Sequence, residues 1–484
     1  YKTGHHLQYP KGTTLVYSNF TPRSNKYAPK GCDQVVSFGQ QMMVKNIHSF
    51  FQEGFFNQPK ETVCREIKNE LSMYLGTEYD TTHIEKLHDL GYLPITVKAI
   101  TEGTLVPIKV PVLTVYNTLP DFYWLPNFLE TIISNLLWKP MTSATIAYTY
   151  KKVLTKWAEK TDKENVGFVL WQGHDFSMRG LDSPDATITS GLGHLTSFNG
   201  TDSLPAIYGA RRFYNETGFV GGSVPATEHS VMCAGGKEDE IETFRRLLET
   251  YPKGILSVVS DTWDLWKVCT EHVVTLKDEI LSRDGKLVIR PDSGNPVDIL
   301  CGTSGNSNID FEDSTEAEYK GVIELLWDVF GGTVNEQGYK VLDPHIGAIY
   351  GDSITIDRAD EICSRLEAKG FASTNVVLGI GSFTYQYNTR DTFGFAMKAT
   401  YVEVNGEGRE IFKDPITDDG TKKSATGLLC VTDAFGEYQL TDKVDWSTEN
   451  RGELKTIYKD GEFYNETTLT DIRERLTQLV SQEV

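Results

Sequence analysis

A pattern that recurs between residues 165 and 380 constrains the fold of this chain more than any other feature. Each repeat has a short apolar run, a polar turn rich in Asp, Ser and Gly, and usually a stretch with helical periodicity. The apolar runs are V-G-F-V-L (166–170), I-L-S-V-V (255–259), K-L-V-I (286–289), I-G-A-I-Y (346–350) and N-V-V-L-G (375–379). Apolar strands that alternate with helices are typical of a parallel α/β sheet buried on both faces. Because such sheets and barrels bind ligands at the carboxyl ends of their strands, we expect the five polar turns to converge on one site.

Two of the intervening segments carry helix signals at their ends. Residues 237–251 have acidic side chains in the first turn and apolar side chains at helical spacing. Residues 357–370 also follow a helical pattern and end on Gly370, at a position typical of a C-cap glycine. Both segments support the alternation of strands and helices.

The flanks of this region differ from it. Residues 104–116 read as strands but contain two prolines, which predicts edge strands of a mixed sheet. Strand patterns return after residue 395, and a helix is predicted near the end of the chain. The sequence therefore predicts an α/β fold with a barrel-like core over 161–390. A second, mixed-sheet domain is expected from both chain ends, residues 1–160 and 391–484.

Composition limits the classes of function. The net charge of −20 disfavours binding to the phosphate backbone of nucleic acids. No segment approaches the roughly 18–20 consecutive apolar residues that a membrane-spanning helix needs. The seven cysteines are scattered and include no C-x-x-C pair, which argues against a zinc site or a disulfide scaffold. We expect a cytoplasmic protein that binds neither nucleic acid nor membrane.

The segment R-P-D-S-G-N-P (290–296) follows one of the apolar runs directly. Arg290 and Asp292 alternate along the strand end, so both side chains can face the mouth of a barrel. A guanidinium suits a phosphate or a polarised amide, and a carboxylate suits sugar hydroxyls or a metal ion. The alternative is an internal ion pair that caps the strand.

Two glycine turns, Y-G-D-S (350–353) and G-I-G-S (379–382), follow the two last apolar runs. Backbone N–H groups exposed by such turns bind anions, although many glycines only permit the turn. Asp352 is placed to hold ribose hydroxyls, and Arg390 and Lys398 lie further along the chain, within reach of the same phosphate.

The segment H-D-F-S-M-R-G (174–180) brings an aromatic ring, Phe176, and a cation, Arg179, close together. This combination suits a flat heteroaromatic ligand. The simpler interpretation is a core phenylalanine and a surface arginine. Asp202 lies in a turn, where aspartate is common for conformational reasons alone.

The segment G-G-S-V-P-A-T-E-H-S (221–230) presents Glu228 and His229 side by side. From the residues alone this pair is a structural feature, a general acid or base, a metal ligand or a phosphate acceptor. The common nucleotide-binding loops G-x-x-x-x-G-K-[ST] and G-x-G-x-x-G are absent from the chain.

Taken together, these motifs resemble those of the nicotinamide phosphoribosyltransferase family of type II phosphoribosyltransferases. The resemblance runs from Y-K-T-G-H-H-L-Q-Y-P (1–10) through G-H-D-F-S-M-R-G, F-N-G-T-D, S-V-P-A-T-E-H-S, S-V-V-S-D-T-W-D, I-R-P-D-S-G-N-P and G-D-S-I-T-I-D to F-K-D-P (412–415). It implies an irregular α/β barrel plus a mixed β domain, in a homodimer with shared active sites. The implied reaction joins nicotinamide to phosphoribosyl pyrophosphate with Mg²⁺, which the pyrophosphate mainly holds.

The resemblance also implies roles for particular residues. Around the pyridine ring it implies stacking by Phe176 and by Tyr1 of the partner subunit, an amide contact to Asp202, and surroundings completed by Arg179, Ser260 and Arg290. For ribose it implies Asp292, Gly351 and Asp352, and for the 5′-phosphate Gly381, Ser382 and Arg390, with Arg23 and Lys398 reaching the phosphates across the interface. Ser382 replaces a glycine of the family's phosphate turn.

For His229 the resemblance implies phosphorylation by ATP as a co-substrate. Its tautomer would be fixed by Glu228 or by Asp264. Two alternatives stay open: an enzyme directed at nicotinate or quinolinate, in which a cation would replace Asp202, and a non-catalytic nucleotide-binding protein on the same scaffold.

Overall fold

The computed structural model describes residues 2–303, 314–351, 353–413 and 425–483. Its two largest sheets have six and seven strands, and helices pack around both.

The strands are β1 (Thr13–Thr21), β2 (Gln34–Val36), β3 (Ile95–Ala99), β4 (Leu105–Pro107), β5 (Leu113–Asn117), β6 (Gly173–Asp175), β7 (Gly200–Thr201), β8 (Lys253–Val259), β9 (Asp284–Arg290), β10 (Gly332–Val334), β11 (Lys340–Leu342), β12 (Ile346–Tyr350), β13 (Val376–Ile380), β14 (Ala396–Val404), β15 (Glu407–Glu410), β16 (Leu428–Ala434), β17 (Glu437–Val444), β18 (Lys455–Lys459) and β19 (Glu462–Phe463).

The helices are α1 (His5–Gln8), α2 (Gln40–Phe51), α3 (Lys60–Leu75), α4 (Thr82–Leu90), α5 (Leu125–Phe128), α6 (Glu130–Thr161), α7 (Val169–Gln172), α8 (Pro184–Leu195), α9 (Leu204–Tyr214), α10 (His229–Gly235), α11 (Glu240–Thr250), α12 (Leu265–Lys267), α13 (Val273–Thr275), α14 (Lys277–Leu281), α15 (Pro296–Cys301), α16 (Glu316–Lys320), α17 (Val322–Phe330), α18 (Ile356–Ala368), α19 (Ser382–Gln386), α20 (Trp446–Glu449) and α21 (Leu469–Glu483).

The six-stranded sheet is parallel throughout, in the order β7-β6-β13-β12-β9-β8. Four of the five apolar runs form strands of this sheet, as predicted. The prediction for 166–170 is wrong, because these residues form a 3₁₀ turn (Lys163–Phe168) and the start of α7. Val166 and Val169 pack on the core at helical spacing, and the strand begins only at Gly173.

The segment that carries Glu228 and His229 closes this sheet into an irregular barrel. Near β7, Gly222 N–H donates to Asn199 O (2.9 Å) and Thr201 N–H donates to Gly222 O (3.0 Å). Near β8, Ser257 N–H donates to Pro225 O (2.9 Å), and Thr227 N–H donates to Ser257 O (3.0 Å). The segment therefore pairs with both edge strands, and the predicted barrel is confirmed.

The seven-stranded sheet has the order β15-β14-β1-β5-β3-β18-β19, and all of its strand pairs are antiparallel. Its strands come from both ends of the chain, as predicted, although the sheet is antiparallel and not mixed. The expected edge position is wrong for β5, which lies in the middle of the sheet. The two prolines, Pro107 and Pro111, precede β5, so every N–H group of that strand can enter the ladder. The boundaries predicted between domains remain predictions.

Helix α6 connects the hydrophobic cores. Ile133 and Leu137 pack in the core of the antiparallel sheet, Ala147 and Leu154 in that of the barrel, and Tyr148 in a third core. The third core also contains apolar residues of α8, α9 and the C-terminal helix α21. The long helix therefore holds both sheets and the end of the chain together.

The two helices predicted from their end signals are both present. Helix α11 has Glu240 and Glu242 in its first turn. Helix α18 begins after Thr355, whose Oγ1 accepts from Arg358 N–H, and Gly370 beyond its end has a φ of +77°. All seven cysteines are unpaired. Within the described ranges, we find no helix with the length and apolar character needed to span a membrane.

Candidate active site

Three residues that follow or end strands of the barrel line one cavity of about 420 Å³. Phe176 follows β6, Asp202 follows β7, and Arg290 ends β9. Most of the other lining side chains are apolar, among them Val288 and Val377. A largely apolar cavity with a few polar groups is the usual form of a site for a small organic molecule. The polar turns at the ends of these strands therefore do meet at one place.

Arg290 connects the part of the cavity lined by Phe176 to Asp292. Its guanidinium lies 5.0 Å from the centroid of the Phe176 ring. Nε and Nη2 donate to the two carboxylate oxygens of Asp292 at 3.0 and 3.1 Å. Gly351 lies against this pair, since a Cβ atom there would be 1.9 Å from Asp292 Oδ1. The internal ion pair considered from the sequence is therefore present, and it stands at the mouth of the barrel.

Asp202 accepts two hydrogen bonds on the same oxygen. His174 Nε2 lies 2.8 Å from Asp202 Oδ1, and Ser223 Oγ donates to that atom at 2.5 Å. Burial acts to raise the pKa of Asp202, but the bonds from His174 and Ser223 outweigh it, so the pKa lies below its usual value. Asp202 is therefore a carboxylate at neutral pH, facing a largely apolar cavity.

Ser260 lies behind the cavity wall. It is fully buried, and its Oγ donates to Val258 O at 2.7 Å. Ser257 lines the cavity instead, and its Oγ is buried without a hydrogen-bond partner among the described residues. Side chains of a strand alternate between its two faces, so positions 257 and 260 face opposite ways.

His229 begins α10 and is half exposed, with 51% of its side chain accessible. Its Nδ1 lies 3.2 Å from Thr262 Oγ1, and its Nε2 lies 3.9 Å from Asp261 and 4.0 Å from Asp292. These contacts differ from the ones expected. Asp264 caps α12 by accepting from Lys267 N–H, and Glu228 is the exposed residue before α10.

The predicted phosphate turn leads directly from β13 into α19. Gly381 precedes the helix, and Ser382 is its first residue. Ser382 is not among the residues with positive φ, so the serine fits where the family has a glycine. A Cβ atom at Gly180 would lie 2.2 Å from Ser382 Oγ, so the exposed turn Met178–Gly180, which carries Arg179, packs against the phosphate turn.

Two of the predicted basic residues lie together in the same chain. Arg23 Nε donates to Gly394 O at 2.8 Å, and Arg390 pairs with Asp391 at 3.0 Å. Burial and then the charge of Arg390 lower the pKa of Arg23. Arg23 and Arg390 therefore lie close enough within one chain for their charges to interact. Lys398 lies on β14, opposite Asn19 of β1. Tyr1 and Asp352 lie outside the described residues.

The carboxylates beside His229 bear on metal binding. No group of three or more His, Cys, Asp or Glu side chains is arranged to hold a metal ion in the described part of the chain. Asp261 Oδ2 accepts from Asp292 N–H at 3.0 Å and from Ser293 Oγ at 2.5 Å. Its Oδ1 is buried without a hydrogen-bond partner in that same part. Asp261 and Asp292 therefore suit a Mg²⁺ ion that takes its other ligands from a bound polyphosphate.

The sequence analysis did not single out His174, Ser223, Ser257, Asp261 or Thr262. Two of these had a signal in the sequence. His174 and Phe176 are two residues apart, as are Ile255 and Ser257, and each pair lines the cavity because alternate residues of a strand share a face. The contacts of the other three residues depend on loops brought together by the fold.

Comparison with known proteins gives consistent results. The sequence profile of the Nicotinate phosphoribosyltransferase (NAPRTase) family matches residues 171–462. A nicotinamide phosphoribosyltransferase of Acinetobacter baylyi is 52% identical over 99% of this chain and 96% of its own length. Another protein of that name, from Mycoplasma pneumoniae, is 35% identical over 88% of this chain and 93% of its own. The crystal structure of human nicotinic acid phosphoribosyltransferase shares the fold, with a TM-score of 0.57 at 15% identity, covering 100% of this chain and 92% of that chain.

Proposed function

This chain belongs to the nicotinate phosphoribosyltransferase family, and from that premise we propose that it is a nicotinamide phosphoribosyltransferase. The enzyme is a pentosyltransferase that forms nicotinamide mononucleotide and pyrophosphate from nicotinamide and phosphoribosyl pyrophosphate. The observation that carries the choice of substrate is the Asp202 carboxylate on the wall of the cavity. The names of the two similar bacterial proteins support the same choice.

The cavity favours a neutral pyridine amide. Phe176 offers one face for stacking, and the Arg290 guanidinium lies over that ring. A carboxylate at 202 accepts a hydrogen bond from the amide N–H₂ of nicotinamide. It would repel the carboxylate of nicotinate, because two like charges in contact destabilise each other.

The ribose and its phosphates would bind at the barrel mouth, beside Arg290, Asp292 and Gly351. Departure of pyrophosphate leaves positive charge at the anomeric carbon, which the Asp292 carboxylate stabilises. A Mg²⁺ ion held by the pyrophosphate would neutralise part of the charge that develops on the leaving group. The ring nitrogen of nicotinamide attacks without losing a proton, so the reaction needs no general base. Asp352 would hold ribose hydroxyls, and Gly381, Ser382, Arg390, Arg23 and Lys398 would hold phosphates.

His229 would accept a phosphoryl group from ATP. The imidazole is accessible, and a hydrogen bond from Nδ1–H to Thr262 leaves the lone pair on Nε2. Nε2 points toward the two carboxylates that would share the Mg²⁺ ion of a bound polyphosphate. Phosphorylation at this position would couple ATP hydrolysis to formation of the mononucleotide in NAD salvage.

A homodimer with shared active sites would supply Tyr1 of the partner subunit to the second face of the pyridine ring. Exposed aromatic side chains beside the phosphate turn support this arrangement. Phe383 of α19 and Tyr387, the residue after this helix, stack with their ring centroids 5.0 Å apart, and 62% and 79% of their surfaces are exposed. Sedimentation of the active protein tests the proposal, since an active monomer would contradict a shared site.

The decisive experiment measures nicotinamide mononucleotide formed from nicotinamide, phosphoribosyl pyrophosphate and Mg²⁺, with and without ATP. Nicotinate and quinolinate replace nicotinamide in parallel reactions. We expect product with nicotinamide and more of it with ATP. Faster turnover of nicotinate or quinolinate than of nicotinamide would favour an enzyme directed at one of those acids. No turnover of any of the three ring substrates would favour a non-catalytic binding protein.

A further inference from the structure

The histidine beside Asp202 has no part in the chemistry described so far. His174 is 92% buried, its Nε2 lies 2.8 Å from Asp202 Oδ1, and its ring lies 4.5 Å from the Phe176 ring, tilted by 35°. Both His174 and Phe176 line the cavity. Since Asp202 is ionised, Nε2–H is the donor and Oδ1 the acceptor.

The backbone around His174 fixes where its ring lies. Strand β6 is hydrogen-bonded on both sides, and His174 pairs with Gly379 of β13 and with Gly200 of β7. A Cβ atom at Gly200 would lie 2.7 Å from His174 Nδ1. The ring therefore packs directly against the backbone of the neighbouring strand, and its Nε2–H has a fixed direction toward Asp202.

Both donors to Asp202 use the same oxygen. Ser223 Oγ bonds to Oδ1 at 2.5 Å, from the segment that closes the barrel. Oδ2 receives no hydrogen bond from the described residues, so it is available to a ligand in the cavity. A carboxylate held on one oxygen by two donors has a defined orientation, and a fixed orientation of binding groups raises selectivity.

We propose that His174 is a positioning residue that selects a carboxamide ring substrate over its carboxylate analogue by holding Asp202 charged and oriented. This inference rests on the proposed function for the identity of the ring. Ser223 is the second donor in the same arrangement. Because His174 acts through Asp202, its effect belongs to ring binding and to the choice between amide and acid, and the rate of the phosphoribosyl transfer step depends on it little.

The test compares His174→Phe, which keeps a ring beside Phe176 but cannot donate, with His174→Gln, which keeps an N–H donor. Calorimetry measures the Kd of nicotinamide and of nicotinate, and kinetics give KM and kcat separately. We expect His174→Phe to weaken nicotinamide binding about tenfold or more, and to lower the preference for nicotinamide over nicotinate by a similar factor, with kcat changed less than about threefold. We expect His174→Gln to restore most of the affinity.

A double-mutant cycle with Asp202→Asn separates positioning from a general structural effect. If His174 acts through Asp202, adding His174→Phe to Asp202→Asn changes nicotinamide binding less than about twofold. The inference would be overturned if His174→Phe had equal effects in the wild type and in Asp202→Asn. It would also be overturned if His174→Phe alone left the Kd values of nicotinamide and nicotinate unchanged. His345→Phe is the matched control, because His345 also pairs with an aspartate, Asp343, at 2.8 Å but does not line the cavity.

The binding measurements keep this inference separate from the proposed function. A wild-type protein that binds nicotinamide more tightly than nicotinate but forms no mononucleotide would contradict the proposed function and leave the inference to be decided by the variants. A wild-type protein that forms mononucleotide but shows no change of ring preference in His174→Phe would contradict only the inference.

Discussion

Replacing Asp202 by Asn removes one charge from the cavity wall and nearly preserves the shape of the side chain. A hydrogen bond to a charged acceptor contributes about 1.5–3 kcal/mol, so we expect the KM for nicotinamide to rise roughly 10- to 100-fold. Nicotinate turnover should rise relative to nicotinamide turnover, because the repulsion is lost. Steady-state kinetics with both rings measure this, and Asp343→Asn, in the other His–Asp pair, is the control. An unchanged preference for the amide would contradict the assignment of Asp202.

Gly351 is the residue at which a single methyl group should disrupt the barrel mouth. A Cβ atom there would lie 1.9 Å from Asp292 Oδ1 and 2.7 Å from Arg290 Nε, so Gly351→Ala must displace the ion pair. We expect kcat/KM for phosphoribosyl pyrophosphate to fall by two orders of magnitude or so, a loss of about 3 kcal/mol in transition-state stabilisation. The melting temperature should change little. Gly54→Ala, where a Cβ atom meets nothing within 4 Å, should leave both quantities unchanged.

His229 can be tested separately from the transfer step. Because the transfer itself needs no general base, we expect His229→Asn to retain basal turnover within about threefold and to lose all stimulation by ATP, since a missing nucleophile removes only the coupled step. Mononucleotide formation with and without ATP, together with labelled phosphate on the protein, measures both effects. Persistent ATP stimulation in the variant would contradict the assignment of His229.

Among the elements around the barrel, α8 connects strand β7 to the helix that follows the predicted phosphate turn. On α8, His194 Nδ1 accepts from the Tyr385 hydroxyl of α19 at 2.7 Å, and its Nε2–H donates to Gly200 O at 2.9 Å. The Nδ1 atom can accept this bond only while the ring is neutral, with its proton on Nε2. His194 therefore holds the element that precedes Asp202 in register with the element that follows Gly381.

This link predicts a loss of stability in acid. Burial lowers the pKa of His194 from 6.5 to about 4, against the nearby charge of Asp175, which raises it, and those of His174 and Arg473, which lower it further. Between pH 6.5 and 4 the unfolded chain therefore binds a proton that the folded chain does not. The contribution of the neutral His194 to the free energy of unfolding is fully present above pH 6.5. It is lost as the pH falls toward 4, by about 1.4 kcal/mol per pH unit.

The measurement is urea unfolding at pH 7.5, 6.0 and 5.0. We expect His194→Gln to show a smaller decrease in the free energy of unfolding over this range than the wild type, since Gln keeps a donor and an acceptor but does not titrate. Equal pH dependence in the two proteins would show that other buried groups cause the acid sensitivity.

On the scale of the whole molecule, the sequence predicted the strands and strand ends that depend on local periodicity. Four strands of the barrel, and the meeting of Phe176 and Arg290 at one cavity, followed from apolar runs and strand ends, whereas the role of Asp202 came from the family resemblance. Ser260 was named from the family resemblance and its role stays a prediction, whereas Ser257, on the opposite face of the same chain segment, lines the cavity. The closure of the barrel by 222–227 was missed, since isolated pairings with two distant strands leave no local pattern.

The C-terminal helix shows how a buried charge affects the entire chain. Lys151 of α6 lies against α21, where its Nζ donates to Thr477 Oγ1 at 2.6 Å. Burial and then the charge of Arg473 lower the pKa of Lys151 from 10.5 to about 7. The Lys151 amine therefore loses its hydration when the chain folds. This happens where α6 packs against α21, beside the third core.

We expect Lys151→Met to stabilise the protein at pH 7 by about 1–3 kcal/mol, because Met has a similar shape and no charge to desolvate, and the lost bond to Thr477 offsets part of the gain. In the wild type, the unfolded chain holds the proton up to pH 10.5 and the folded chain only up to about 7. The free energy of unfolding should therefore rise with pH between these values, and the variant should lack this contribution.

Urea unfolding at pH 7 and 9.5, at one protein concentration, measures both effects. Lys152→Met is the matched control, since the neighbouring Lys152 is partly exposed and pairs with Glu483 at 3.2 Å. If Lys151→Met and Lys152→Met change stability equally, desolvation of Lys151 is not a cost of assembling the two helices.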